Sequence, residues 1–577
     1  MKIFYLRLLF CATSFFLAIG SQAQYRQTIA NETVLLRNVN NLLPFKRLDQ
    51  HKIAIVTSMP EKYKAFIEVA QRYAEVRSYD FNRYDENTKY CNTIIVAGTS
   101  QDLRSDLLLM VKQSLINKKQ VVLVRFDDGG NRQPWNNRVL GEGAVEVAVP
   151  SMQTQAQVNA AMSLFGGLAI TQGSNKTEQT RIQYAGGANF GLDVSRMEKK
   201  IDAIAAEAIR ERAAPGMVVM AIKSGQVIFE KAYGHHTYAG NVPTRVSDIF
   251  DLASVSKIAG TTPVVMHLQE TGVIHLDSTM GRYLWQAKET NKKDIPLRRV
   301  LLHEAGFTPY IPFYRYLKKG DLQRQPDVDH QVKVADSAYL RNNYYRDVMW
   351  PEMLASPVKP VGNYVYSDIS MYVMKEIAEH ETAEPMEEYV QKLLYRPIGM
   401  KTAGYNPRTR FPRERIVPTE HDTSFRKVLL QGYVHDQGAA MAGGVAGHAG
   451  LFATANDLAI FGQLLLNRGE YGGVRYFKPE TVDLFTSKQS RTSRRGLGFD
   501  RADPDPKKEY PSKLANEAVY GHTGYTGTCI WVDPKHQLIY IFLSNRVHPQ
   551  VTTKLLDLNI RSRIQDAIYE TINEAKR

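Results

Sequence analysis

Cysteine is scarce, with 3 in 577 residues. Cys11 lies in the N-terminal apolar stretch, and Cys91 and Cys529 stand far apart in the remainder. Two distant cysteines cannot build a disulfide framework or a thiolate metal site, and each reads as a small buried apolar residue. No cluster of histidine or cysteine has zinc-ligand spacing, and no P-loop glycine motif occurs. No metal and no cofactor are therefore expected. Long runs of one charge are also missing, although the net charge is +14. After the N-terminus no segment is apolar enough to cross a bilayer, so no integral membrane segment is expected. Hydrophobic residues make up 44% and charged residues 23%, which excludes a disordered chain.

The N-terminus stands apart. Lys2 and Arg7 precede or flank an apolar stretch, and Ser21-Gln22-Ala23 is a small-x-small cleavage signal. Residues 1–23 read as a secretory signal peptide cleaved before Gln24, which implies a periplasmic or secreted protein. Export argues against nucleic acid as the partner of a basic surface. An acidic cell-wall substrate and plain solubility fit that charge equally well.

The length predicts two domains. Between 25 and 172, β-rich runs (KIAIV at 52–56, NTIIVAG at 92–98, QVVLVRF at 120–126, VEVAVP at 145–150) alternate with helical spacing at 60–74 and 101–118. That alternation predicts a parallel α/β sheet. ETVLLRNVNNLLPF at 32–45 and AAMSLFGGLAITQG at 160–173 resemble the start and end of the C-terminal domain of family 3 glycoside hydrolases. The resemblance implies an α/β sandwich without that family's nucleophile, which belongs to a barrel domain this chain lacks. Residues 173–191, rich in Gly, Asn, Thr and Gln, read as a linker.

A second domain is expected over 192–577. Ser195 with Glu198 forms a capping-box pattern before a helix near 196–212. PGMVVMAIKSGQVIFEKAYG at 215–234 and TCIWVDPKHQLIYIFLSN at 528–545 read as hairpins, and a long helix follows over about 550–574. Strands at both ends around a helical middle predict an antiparallel sheet covered by helices, an α+β arrangement.

Three segments carry chemistry: Ser254-Val255-Ser256-Lys257, Tyr366-Ser367-Asp368 and His522-Thr523-Gly524. A serine hydroxyl needs a neighbouring base to become a nucleophile. Residues three apart share a helix face, so Lys257 can reach Ser254. Burial would weaken the preference of that lysine for its charge and let it relay a proton. Asp251 is a candidate N-cap placing Ser254 at a helix start, where free amides favour an oxyanion. Taken alone, Ser254 reads as a helix N-cap before it reads as a nucleophile. Ser356/Lys359 and Ser424/Lys427 share the spacing, but prolines interrupt the first and the second lacks an apolar helix face. Pro263 predicts a kink in the helix that follows Lys257.

The stretch 247–285 closely resembles the nucleophile segment of class C β-lactamases, low-molecular-weight penicillin-binding proteins and related esterases. Tyr366 and His522 match the order and spacing of that family's second and third motifs, and LRRVLLHEAGF, RPIGM and GGVAGHAGLFATANDLAIFGQLLLN add to the match. The resemblance implies a β-lactamase/transpeptidase-like fold with an all-helical subdomain. It implies that Ser254 is acylated, that Lys257 and Tyr366 share proton transfer, and that the Ser254 and Tyr525 amides form the oxyanion hole. Asp368, His522, Thr523 and Gly524 would line the substrate site, with His435 and His448 as further pocket candidates. Asp368 replaces the usual asparagine and, when ionised, cannot donate to a substrate carbonyl. His522 replaces lysine, so a fixed charge becomes pH-dependent. These departures suit esters or muropeptide amides better than antibiotics. Three functions stay open: an amidase or carboxypeptidase on peptidoglycan fragments, an esterase on a small acyl substrate, and a non-catalytic wall-binding protein.

Overall fold

The computed structural model describes residues 32–576 except 82–87, 103–104, 127–142 and 186–189. The expected signal peptide and Cys11 lie outside the described residues. The chain forms two compact units, residues 1–188 and 189–577. Among the described residues no helix is long and apolar enough to cross a membrane.

The first unit is built on a six-stranded sheet. Its strands are β1 (Val34–Arg37), β2 (Ile53–Thr57), β3 (Val76–Asp80), β4 (Thr93–Thr99), β5 (Gln120–Phe126) and β6 (Val145–Val149), in the order β1-β6-β5-β4-β2-β3. All neighbours run parallel except β1, which pairs antiparallel with β6. The four predicted strands are present, and their unbroken apolar runs follow from burial on both faces. β1 and β3 carry too little apolar pattern to be read from sequence. The helix Lys64–Tyr73 buries Phe66, Val69, Ala70 and Tyr73 on one face.

The expected linker is a correction. Arg181 is buried and donates to the Phe45 and Phe165 carbonyls, and Tyr73 donates to the Ile182 carbonyl at 2.7 Å. Residues 172–184 therefore pack on the first unit, held by backbone polar groups that composition does not reveal.

The second unit has a six-stranded antiparallel sheet. It contains β7 (Gly216–Lys223), β8 (Gln226–Gly234), β9 (Asp500–Arg501), β10 (Tyr520–Thr523), β11 (Cys529–Asp533) and β12 (Leu538–Ser544), in the order β9-β10-β11-β12-β7-β8. Ser224 and Gly225, both with positive φ, turn the first hairpin. Side chains alternate between two cores. Met217, Val219, Ala221, Trp531 and Tyr540 pack with the helices Val194–Arg210 and Ile560–Glu574. The helix Ala455–Leu466 covers the other face, where Gly462 lies so close to Ile539 that a Cβ would come within 2.9 Å.

Three details differ from expectation. The cap of Val194–Arg210 is Asp193, which accepts from the Arg196 amide at 2.9 Å, so the Ser195/Glu198 box is not used. The C-terminal helix starts at Ile560, because Asn559 takes a left-handed conformation. The central part is not all-helical: a small sheet of Leu322–Gln323, Val332–Ala335 and Ala338–Leu340 lies within it.

Candidate active site

The strand Phe250–Asp251 pairs with Phe452–Ala453 and leads into a 3-10 turn, Ala253–Val255. Ala253 has a φ of 46°, an uncommon conformation for a residue with a side chain, costing roughly 1–3 kcal/mol. Asp251 is not a helix cap, as its carboxylate fixes the turn instead. One oxygen accepts from the Ala253 amide at 2.9 Å and the other from the His435 amide at 2.7 Å.

After the nucleophile the helix widens. Lys257–Thr261 form a π-turn, and the α-helix proper is Thr262–Glu270. Pro263 has no amide to offer the Ala259 carbonyl. That carbonyl accepts from the Tyr395 hydroxyl at 2.6 Å, and the Thr262 amide and hydroxyl both turn to the Lys257 carbonyl. Two further π-turns, Tyr345–Met349 and Gln391–Tyr395, also end one residue before a proline-bearing turn, at Trp350-Pro351 and Arg396-Pro397. The kink expected at Pro263 is thus a one-residue bulge placed immediately before it.

The three motifs converge. The Lys257 ammonium donates to Ser254 Oγ at 2.9 Å, to Asp368 Oδ1 at 2.9 Å and to the His448 carbonyl at 3.3 Å. It also lies 4.9 Å from the centre of the Tyr366 ring. Burial pulls its pKa down, but Asp368 and then Tyr366 push it up, and the net direction is upward. This corrects the expectation that burial makes Lys257 a ready base: all three ammonium protons are engaged, and the charge is held.

Tyr366, Ser367 and Asp368 are fastened to the segment 303–309. The Val365 amide donates to the His303 carbonyl at 2.8 Å and the Ser367 amide to His303 Nδ1 at 3.2 Å. The Ser367 hydroxyl meets the Thr308 carbonyl at 2.6 Å, and the Asp368 amide meets Pro309 at 3.0 Å. His303 is fully buried, its ring centre 4.6 Å from that of Tyr366 at a tilt of 36°, and it is held well below its usual pKa by burial, Arg495 and Lys257. Its Nδ1 accepts, so Nε2 carries the hydrogen.

The third motif is the end of β10. The Thr526 and Thr528 hydroxyls bond the Asp251 and Leu252 carbonyls at 2.8 and 2.9 Å. A Cβ on Gly524 would lie 2.4 Å from the Leu252 carbonyl oxygen, so only glycine permits this approach. The loop is thereby fastened to the Asp251–Leu252 backbone that leads into Ser254. Among the described residues the Ser254 and Tyr525 amides have no hydrogen-bond acceptor, the condition an oxyanion hole requires.

His522 departs from expectation. Its Nδ1 pairs with the Thr523 carbonyl at 2.7 Å and its Nε2 with Arg495 at 3.2 Å. Arginine only donates, so Nε2 accepts and the ring is neutral. Burial, Arg495 and Lys257 lower its pKa to about 3. It is neither a pH-dependent charge near neutrality nor free to bind substrate. The fixed cation at this end is Arg495, which sequence reasoning missed. It is buried, bonds the Tyr364 hydroxyl at 3.1 Å, lies 3.7 Å from Asp500 and 5.3 Å from the Tyr366 ring centre. The doublet Arg494-Arg495 in an otherwise small, polar loop was its only signal.

His435 and His448 part company. The His435 ring lies 5.3 Å from Tyr525, and Glu420 sits 3.0 Å from its Nε2, out of hydrogen-bonding alignment. His448 Nε2 bonds Asp436 at 2.9 Å, next to Lys257. Although no metal ligand set was expected, Asp368, Asp436 and His448 bring ligand-capable atoms within 4.8 Å of one another. The rival serines serve locally: Ser356 bonds the Met353 carbonyl, and Ser424 bonds Asp422.

The family model described as Beta-lactamase matches residues 201–563. An Escherichia coli K12 protein with the provisional name D-alanyl-D-alanine carboxypeptidase is 29% identical over 361 residues, 58% of this chain and 80% of its own. A Salmonella typhimurium LT2 protein with the same provisional name is 28% identical over 373 residues, 60% of this chain and 82% of its own. Among solved structures, EstCE1, a hydrolase with promiscuous acyltransferase activity, superposes with a TM-score of 0.50 at 18% identity, covering 65% of this chain and 99% of its own. That likeness is one of fold. The match over 201–563 spans more than half of the sequence, and the chain belongs to the Beta-lactamase family, as a serine hydrolase of the β-lactamase and penicillin-binding-protein superfamily.

Proposed function

We propose that this protein is an exported enzyme that cleaves an amide bond in peptidoglycan or its fragments through an acyl-Ser254 intermediate. The observation that carries the reading is the Lys257 ammonium, hydrogen-bonded at once to Ser254 and Asp368. A lysine with three engaged donors cannot take the serine proton. Its charge instead favours the alkoxide of Ser254 as it forms, and Tyr366, as phenolate, is the base. Tyr366 then accepts the proton as Ser254 Oγ bonds to the substrate carbonyl carbon, and returns it to the leaving amine. The Ser254 and Tyr525 amides hold the oxyanion. Water, deprotonated by Tyr366, attacks the acyl carbon, and Tyr366 passes that proton to Ser254 Oγ as the acyl–oxygen bond breaks.

The names of the E. coli and Salmonella relatives support a wall peptide as substrate, of the D-alanyl carboxypeptidase type. The resemblance of the first unit to the C-terminal domain of family 3 glycoside hydrolases supports the muramoyl-L-alanine amidase type, because that domain accompanies enzymes of wall-fragment breakdown. The products decide between them. Mass spectrometry of digested cell wall incubated with the protein should show release of D-alanine or of L-alanine-containing peptides, and Ser254→Ala should abolish it. Unchanged muropeptides beside turnover of nitrophenyl esters would replace this reading with an esterase.

A further inference from the structure

One cavity beside the nucleophile is not used by the steps above. Tyr310, Phe313, Asp368, Tyr372, Asp436 and His448 line it. It adjoins Ser254 through Lys257, which bonds both Asp368 and the His448 carbonyl. Each carboxylate has one committed oxygen. Asp368 Oδ1 accepts from Lys257, and Asp436 Oδ1 accepts from His448 at 2.9 Å and the Ala439 amide at 2.7 Å. Among the described residues the second oxygen of each has no hydrogen-bond donor, and both side chains are partly exposed, at 22% and 23%.

Two other polar groups point to a ligand. Among the described residues the Tyr372 hydroxyl and His448 Nδ1 have no hydrogen-bond partner, although their residues are only 3% and 2% exposed. Buried polar atoms without a partner are rare and call for an explanation. The Tyr372 hydroxyl faces Gly438 on the cavity wall, where a Cβ would lie 2.7 Å from it. The Tyr372 and His448 rings pack at 4.5 Å.

Carboxylate oxygens with aromatic walls suit a small organic cation. We propose that this cavity is a subsite for a primary ammonium group of the substrate, held by the free oxygens of Asp368 and Asp436, so that the enzyme prefers wall peptides with a free amine. The inference rests on the reading of Ser254 as nucleophile and names a feature of its substrate. An ammonium fits better than a divalent metal ion for two reasons. The Lys257 ammonium already sits on Asp368, and a doubly charged ion there would be strongly repelled. A metal-bound imidazole also normally has its second nitrogen anchored, and His448 Nδ1 is not. Two carboxylates facing one lysine leave room for one further positive charge.

The test uses one cell-wall digest, half of it acetylated at its free amines. The full chain should favour the free-amine peptides at least about tenfold in kcat/KM, the scale of a charge-assisted hydrogen bond. Asp436→Asn should collapse that ratio toward one. A ratio near one in the unaltered protein, or a ratio unchanged by Asp436→Asn, overturns the proposal. A second readout needs no turnover of peptides. Ethylammonium should slow fluorophosphonate labelling of Ser254 in the unaltered protein and not in Asp436→Asn. If the peptides are not cleaved but ethylammonium protects in this way, the amide-hydrolase reading fails and the subsite stands. If ethylammonium protects neither protein, the subsite fails. Stoichiometric Zn²⁺ retained through equilibrium dialysis, and lost in Asp436→Asn, would make this a metal site and overturn the proposal as well.

Discussion

Two buried cations flank Tyr366, and they are built differently. Lys257 lies 4.9 Å from the ring centre and is paired with Asp368 at 2.9 Å. Arg495 lies 5.3 Å from it and is 3.7 Å from Asp500. Lys257 reaches the nucleophile. Arg495 spends its donors on Tyr364 and His522 and has no bond to Ser254. Asp500 is in turn held by two bonds from Arg494, so the Arg495 side is a structural network with a charge at its centre. The contrast teaches that a positive environment for one tyrosine can come from a reactive arm and a fixed one. Only the reactive arm touches the reacting atoms.

The largest expected effect separates the two arms. Lys257→Met should lower kcat/KM by about 10³-fold or more, the scale of a lost proton-transfer partner. Arg495→Gln should cost about 10- to 100-fold, the loss of one nearby charge without a lost contact to substrate. Equal losses in steady-state assays would erase the distinction. Stability is a second readout. Arg495→Gln should destabilise by about 1–3 kcal/mol in urea unfolding, because Asp500 keeps Arg494 and only part of a buried network breaks.

Asp368→Asn sharpens the Lys257 side. Burial lowers the lysine pKa and the Asp368 charge raises it. Without that charge Lys257 loses its proton at lower pH, so the alkaline limb of kcat/KM should move down. A limb that stays in place would show that Asp368 does not hold the charge. A further effect concerns His522, whose pKa is lowered to about 3 in the fold against 6.5 for an unperturbed histidine side chain. As pH falls below about 6.5 the unfolded chain takes up that proton first, so stability is lost progressively toward pH 3. His522→Gln should show a shallower loss between pH 7 and pH 4, measured by urea unfolding at each pH. An identical slope would mean that the ring is not held neutral.

The reactive arm was legible in the sequence and the fixed arm was not, for a physical reason. Ser254 and Lys257 share one helical turn, and Tyr366 and Asp368 share one tripeptide, so each pair is short enough to match a family motif, and the resemblance joined the two. Arg495 and Asp500 share the stretch 494–500, but they meet His303 and Tyr366 only through the fold. His303 stood inside the stretch LRRVLLHEAGF without a role, since its contact with Tyr366 depends on how the loop of 362–367 returns to it. The strands of the first unit with continuous apolar runs were readable, whereas β1 and β3 needed their neighbours. The 173–191 stretch looked like a linker because its anchoring runs from side chains to backbone carbonyls, Arg181 to Phe45 and Tyr73 to Ile182, which composition does not show. The charge state of Lys257 could not be read either. Burial alone argues for a neutral amine, and only the position of Asp368 reverses the sign.

The central claim is that Ser254 is the nucleophile and is activated by a lysine that stays charged. The most direct measurement is fluorophosphonate labelling of the full chain, with the adduct mapped by peptide mass spectrometry in the unaltered protein and in Lys257→Met. The account predicts a single adduct on Ser254, and labelling of the folded Lys257→Met protein slowed by about 10³-fold or more. An adduct on another residue, or equal labelling of Ser254 in both proteins, would contradict it.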